Sequence, residues 1–125
     1  MRLMLVLLGG GLGSLARYFT GLWLADRLGA AFPWGTLMVN VLGSFLIGLI
    51  ATLADERGSI GPQARLLLVT GLLGGFTTFS AFSLETWRLL EQNEMGRAAL
   101  NVAGTLALSF IAVALGVATG RALER

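Results

Sequence analysis

The chain contains no cysteine, no histidine and no lysine, and each absence removes a class of chemistry. Without cysteine it has no disulfide, thiol nucleophile or thiolate metal site. Without histidine it lacks the commonest general base and the commonest imidazole metal ligand. Charged residues make up only 13% of its 125 residues. These absences argue against an enzyme and against a soluble domain.

Apolar residues are abundant instead: they make up 55% of the chain and give a mean hydropathy of +0.78. They fall into four runs, at residues 3–24, 34–54, 66–90 and 98–120. Each run is long enough to cross a hydrocarbon core of ~30 Å as a helix. We therefore predict an all-α membrane protein, with residues 1–125 forming one domain of four transmembrane helices in the cell (inner) membrane.

The first run also fits a signal peptide, with residues 14–16 as a loose cleavage site. The apolar pattern continues beyond Arg17 through Phe19, Leu22 and Trp23. A retained helix continues in this way, so we predict a first transmembrane helix.

The arginines indicate how the chain inserts into the membrane. Four spans place both termini on one side, which carries five arginines against three on the other: Arg2, Arg57, Arg65, Arg121 and Arg125 against Arg27, Arg88 and Arg97. This difference is a weak positive-inside signal. A chain with so small a bias can insert in both orientations, which permits an antiparallel homodimer.

The third run is the most informative segment. It has no charge from Leu66 to Leu84, yet residues 71–83 read GLLGGFTTFSAFS. Glycine and hydroxyl residues at the centre of a span predict an interrupted helix, and irregular backbone within a membrane usually lines a site or a watery path. We therefore predict that this helix is broken mid-membrane, at about residues 75–78.

The same residues predict how the break is built. Gly71, Gly74 and Gly75 are natural terminators of a first half-helix, and Thr77 or Thr78 is a natural N-cap for a second. Carbonyls freed at the end of the first half suit a hard cation such as sodium. The N–H groups that begin the second half suit an anion.

Polar residues recur every four positions in the second and fourth runs. The rows are Thr36, Asn40 and Ser44, and Asn101, Thr105 and Ser109, each continued by small residues. Residues at this spacing share a helix face, where they serve either close helix packing or the lining of a pore. Asn40 lies in the most apolar part of its span, where an unpaired amide is costly. Its donors suit an anion or a pore-lining network.

Phe79 and Phe82 are three residues apart and therefore share a face of the second half-helix. An aromatic ring has a positive edge. Two such edges in a pore help an anion to shed water without holding it as tightly as an arginine does. The alternative is that both rings face lipid or serve packing.

Three segments carry a resemblance to a known family. Residues 9–18 read GGGLGSLARY, residues 35–45 read GTLMVNVLGSF and residues 74–80 read GGFTTFS. They resemble the GGxxGAxxRY, GTLxVNxxGSF and GGxTTFS motifs of the Fluc/CrcB fluoride channels, in the same order. The chain length and the four-span layout are similar as well.

The resemblance implies a dual-topology antiparallel homodimer that passively exports fluoride and confers fluoride resistance. Each of its two pores would use side chains of both subunits, from Asn40, Phe79, Phe82, Ser80, Thr105 and Ser109. Carbonyls of Gly74 and Thr77 from both subunits would hold a structural sodium ion, with no organic cofactor. Arg17 would lie near a vestibule and Glu85 at a pore mouth; a snorkelling arginine and an ordinary interfacial acid are the alternatives.

Two other functions remain open. A small four-helix proton-coupled multidrug exporter has a similar size, but it needs a carboxylate embedded in the membrane. The chain has no acid near the centre of any span. A noncatalytic membrane assembly subunit would use the glycines for packing only. It is distinguished from a channel by whether the polar rows face a cavity or a dry interface.

Overall fold

The computed structural model describes residues 1–123 as an all-helical bundle, with no strand in that part of the chain. Its five helices are α1 (Arg2–Leu28), α2 (Trp34–Ala51), α3 (62–76), α4 (Phe79–Glu91) and α5 (Met95–Leu123). A π-helical turn at Thr52–Glu56 extends α2. Together they provide four apolar segments long enough to cross a membrane, with α3 and α4 forming the third. The predicted fold class of four membrane-spanning helices is confirmed at this level.

The third segment is interrupted at two residues. Its helix ends at Phe76, and Thr77 (φ −92°, ψ 159°) and Thr78 (φ −156°, ψ 120°) are extended. Thr78 Oγ1 accepts a hydrogen bond of 3.1 Å from the Ala81 N–H and so caps α4. Capping of this kind satisfies one of the N–H groups that a helix start leaves unpaired. The predicted threonine N-cap is therefore present.

The glycines of this segment do not end the helix, so that part of the prediction is wrong. Leu66–Leu73 is π-helical, and Gly74 retains helical angles (φ −60°, ψ −38°). Gly71 lies against Gly9 of α1, and a Cβ on Gly75 would overlap the backbone of Gly10. Small residues let two helix backbones approach closely. Gly71 and Gly75 thus fix the position of α3 against α1.

Small residues also hold α2 against α5. A Cβ on Gly48 would overlap the Val113 carbonyl, one on Gly116 the Phe45 carbonyl, and one on Gly120 the Thr52 side chain. These small residues continue the two polar rows along α2 and α5, and here the two helices therefore form a dry interface. The polar parts of the rows lie farther along the same two helices.

We expect Gly116→Ala to lower the thermal midpoint of the detergent-solubilised protein. The new methyl group would overlap the Phe45 carbonyl, which is rigid backbone, and overpacking of this kind costs about 1–3 kcal/mol. Gly104→Ala is the matched control, because a Cβ there meets no atom within 4 Å. Equal midpoints for the two variants would contradict the close α2–α5 contact.

Two ion pairs link the helix ends on the side of the termini. Asp55 pairs with Arg65 at 2.9 Å and Glu56 with Arg121 at 2.8 Å, all with exposed or half-exposed side chains. They join the end of α2 to the start of α3 and to the end of α5. Exposed ion pairs contribute little to the free energy of unfolding. We therefore infer that these two pairs mainly align the helix ends that they join.

Candidate functional site

A polar-lined groove of about 430 Å³ lies where α2, α4, α5 and the end of α3 meet. We call it the central groove. Its polar side chains are Asn40, Ser44, Thr77, Thr78, Thr105 and Ser109. No charged residue of the described chain lines it. The groove opens onto the protein surface, where Phe79 and Phe110 are 75% and 74% exposed.

Asn40 binds the backbone of the helix break with both ends of its amide. Its Nδ2 donates to the Thr78 carbonyl at 3.0 Å, and its Oδ1 accepts from the Thr78 N–H at 2.9 Å. The extended conformation of Thr78 is therefore held by α2. An amide nitrogen carries two hydrogens, so one N–H of Asn40 remains after this pairing.

The two phenylalanines form one wall of the central groove. The ring centroids of Phe79 and Phe82 lie 5.6 Å apart with an interplanar angle of 49°. Phe82 is buried, whereas Phe79 projects from the surface. The structure thus brings both rings to the groove that contains Asn40.

A buried hydrogen-bond chain connects α5 to this wall. Asn101 is fully buried, and its Nδ2 donates to Thr86 Oγ1 at 2.9 Å. Thr86 in turn donates to the Phe82 carbonyl at 2.7 Å, and Thr105 Oγ1 donates to Asn101 Oδ1 at 3.4 Å. Thr105 lines the groove, whereas Asn101 supports it from behind. The four-residue spacing predicted that Asn101 and Thr105 lie on one helix face. It did not predict that only Thr105 lines the groove.

The hydroxyl groups differ in how far they are already paired. Ser109 Oγ is buried at the groove without a hydrogen-bond partner among the described residues. Ser44 donates to the Asn40 carbonyl at 2.6 Å. Ser80 does not line the groove; it is exposed, with its Oγ 3.4 Å from Thr78 Oγ1. Ser109 therefore has the hydroxyl most free to donate into the groove.

The helix break releases the two carbonyls that the resemblance assigns to sodium. In an unbroken helix the Thr78 N–H would donate to the Gly74 carbonyl, and the Ala81 N–H to the Thr77 carbonyl. Here Thr78 N–H donates to Asn40 and Ala81 N–H to the Thr78 side chain. Gly74 is exposed. Neutral carbonyl oxygens are ligands for a hard cation, so these two residues fit such a site.

Arg17 and Glu85 lie outside the central groove and share a side cavity of about 480 Å³ between α1, α2 and α4. Thr36 Oγ1 donates to Glu85 Oε1 at 3.0 Å, while Glu85 Oε2 is buried without a partner among the described residues. Thr36 is one helical turn from Asn40, so the side cavity and the groove lie on adjacent turns of α2. Glu85 also lines a third cavity, of about 390 Å³, at the end of the bundle.

Comparison with known proteins adds independent findings. The family model of CrcB-like protein, Camphor Resistance (CrcB), matches residues 4–117. The chain is similar to the fluoride-specific ion channel FluC of Thermus thermophilus, with 53% identity over 98% of this chain and 95% of that protein. For the protein of the same name from Rhizobium etli the identity is 50% over 95% of each chain. For that of Acidobacterium capsulatum it is 47% over 96% of each.

Proposed function

The chain belongs to the CrcB family, and from this premise we propose that it is a passive fluoride channel. It is a multi-pass membrane protein of a channel family, not an enzyme. Its relatives carry the name fluoride-specific ion channel. The observation that carries the proposal is the central groove at the helix break, which is polar but uncharged.

The groove has the chemistry that a small hydrated anion requires. Fluoride must exchange water for other donors, yet it must bind weakly enough to leave. The remaining N–H of Asn40 and the hydroxyls of Thr105 and Ser109 supply neutral donors, and the edges of Phe79 and Phe82 supply weak positive potential. An arginine or lysine in this position would hold the ion. Fluoride that accumulates in an acidified cell would leave down its gradient, which accounts for resistance.

We propose that two antiparallel copies complete two such pores in the inner membrane. One chain leaves the groove open on one side, with Phe79, Phe110 and Gly74 exposed. A second copy would close it and bring a second pair of Gly74 and Thr77 carbonyls to the first. A sodium ion held there would supply a fixed positive charge that links the subunits. Ser80, which is exposed beside the groove, would face the pore only in this assembly.

We place Arg17 near a vestibule of the pathway and Glu85 at a pore mouth. They share the side cavity, which adjoins the groove through Thr36 and Asn40. An arginine at a mouth attracts anions from solution. The Thr36 hydrogen bond fixes the orientation of the Glu85 carboxyl.

Fluoride efflux from proteoliposomes tests the proposed function. Purified protein should release trapped fluoride as soon as a potassium ionophore balances the charge, with no added proton gradient, and chloride release should stay at the level of protein-free vesicles. A proton-coupled exporter would require a pH gradient, and a packing subunit would release neither anion. Absence of fluoride release from folded, dimeric protein would refute the channel.

A further inference from the structure

Arg17 is a half-buried cation without an acidic partner among residues 1–123. Its Nε donates to the Gly75 carbonyl at 3.2 Å, between the middle of α1 and the end of α3. The three ion pairs within residues 1–123 join other residues. The charge of Arg17 is therefore balanced by the carbonyl end of the first half-helix, which carries partial negative charge.

The packing of α1 against α3 determines which carbonyl Arg17 reaches. Gly10 contacts Gly75, and a Cβ on Gly13 would overlap the Leu72 carbonyl and approach the Phe76 N–H. Arg17 follows Gly13 by one helical turn and so lies beside the end of α3. An unbroken helix would pair the Gly75 carbonyl with the N–H of Phe79, which is instead the first residue of α4. The guanidinium replaces that donor.

This contact places a fixed cation on the carbonyl of Gly75, which lies between Gly74 and Thr77 in the sequence. We propose that Arg17 is a positioning residue that withholds the Gly75 carbonyl from the neighbouring cation site and weakens sodium binding there. The inference rests on the sodium site of the proposed function. The guanidinium and a sodium ion would compete for the same negative helix end, because the dipole effect is confined to the last turn. Removal of the arginine charge should therefore tighten sodium binding.

Sodium-dependent thermal stability is the measurement. A cation that binds only the folded protein raises the thermal midpoint with its concentration. We would titrate the detergent-solubilised dimer with sodium chloride, keeping ionic strength constant with choline chloride. We expect the half-saturating sodium concentration to fall about tenfold in Arg17→Gln, as removal of a charge at a partly buried helix end implies. The matched control is Arg27→Gln, since Arg27 lies on the same helix but over the Trp23 ring. It should leave the value unchanged.

Arg17→Lys keeps the test decisive if the glutamine variant does not fold. Lysine retains the charge but lacks the planar fork that reaches the carbonyl, so we expect half-saturation about two- to fourfold below wild type. Half-saturation equal to wild type in the folded Arg17 variants would overturn the inference and leave the sodium site standing. A midpoint independent of sodium in the wild type would overturn both, whereas the channel itself is decided separately by fluoride efflux.

Discussion

Asn40→Asp should lower the rate of fluoride efflux by about a hundredfold or more while the protein remains dimeric. The carboxylate would place a negative charge in a groove that has no other charged side chain in the described chain. Two like charges 4 Å apart repel by about 4 kcal/mol at an effective dielectric constant of 20, and 1.4 kcal/mol is a factor of ten in rate. Fluoride flux from proteoliposomes, with the oligomeric state checked by size-exclusion chromatography, measures the effect.

The fold should tolerate this change. Aspartate keeps the oxygen that accepts from the Thr78 N–H, but its second oxygen would stand where Nδ2 donates to the Thr78 carbonyl, so that bond is lost and two acceptors face each other. Leaving a hydrogen-bonding group without its partner costs about 1–3 kcal/mol. Gln63→Glu makes the same amide-to-carboxylate change at an exposed residue that lines neither the central groove nor the other cavities, and it is expected to keep wild-type flux. Near-normal flux in Asn40→Asp would remove Asn40 from the ion pathway.

The helix break shows what sequence can and cannot predict. The threonine cap was predictable because a hydroxyl that caps its own helix start is a local interaction. The role of the glycines was not, because a glycine that ends a helix and one that lets two helices touch look alike in sequence. Only the position of α1 against Gly71 and Gly75 distinguishes them.

The polar rows illustrate the same limit. One row on α5 contains Thr105 and Ser109, which line the central groove, and Gly116, which packs against Phe45. The four-residue spacing predicted a shared face correctly. Which part of that face is dry depends on where α2 and α5 cross, and this is a property of the tertiary structure. The packing interpretation therefore holds for the part of the row that contains Gly116, while the part at the groove is the one that we propose lines the pore.

Long-range contacts of single side chains were beyond sequence reasoning. The motif that contains Arg17 indicated an important residue, but nothing in it pointed to a carbonyl 58 residues away. Likewise Thr86, which links Asn101 to the Phe82 carbonyl, belongs to no recognised pattern. Such contacts depend on how the helices pack.

Removal of both rings in Phe79→Leu/Phe82→Leu should reduce fluoride efflux by about ten- to hundredfold. A pair of aromatic rings is worth about 0.5–1.5 kcal/mol beyond its buried area; we take the same scale for a ring edge that faces the ion, and leucine keeps an apolar wall without the positive edge. The two single variants differ in how deeply the replaced ring is buried. Phe79 is 75% exposed in the single chain, so its replacement should leave the fold of each subunit intact, whereas replacement of Phe82, which is 7% exposed, should cost about 1–2 kcal/mol.

The comparison of single variants therefore separates conduction from folding. If Phe79→Leu lowers flux at an unchanged thermal midpoint, its ring acts on the ion, because the midpoint excludes a packing effect. Phe19→Leu is the control, since Phe19 is also exposed, at 61%, but lies on α1 outside the central groove. If Phe79→Leu and Phe82→Leu conduct fluoride as fast as the Phe19→Leu control, the two rings are lipid-facing or packing residues. The pathway would then depend on Asn40 and the hydroxyls alone, without an aromatic contribution to removing water from the ion.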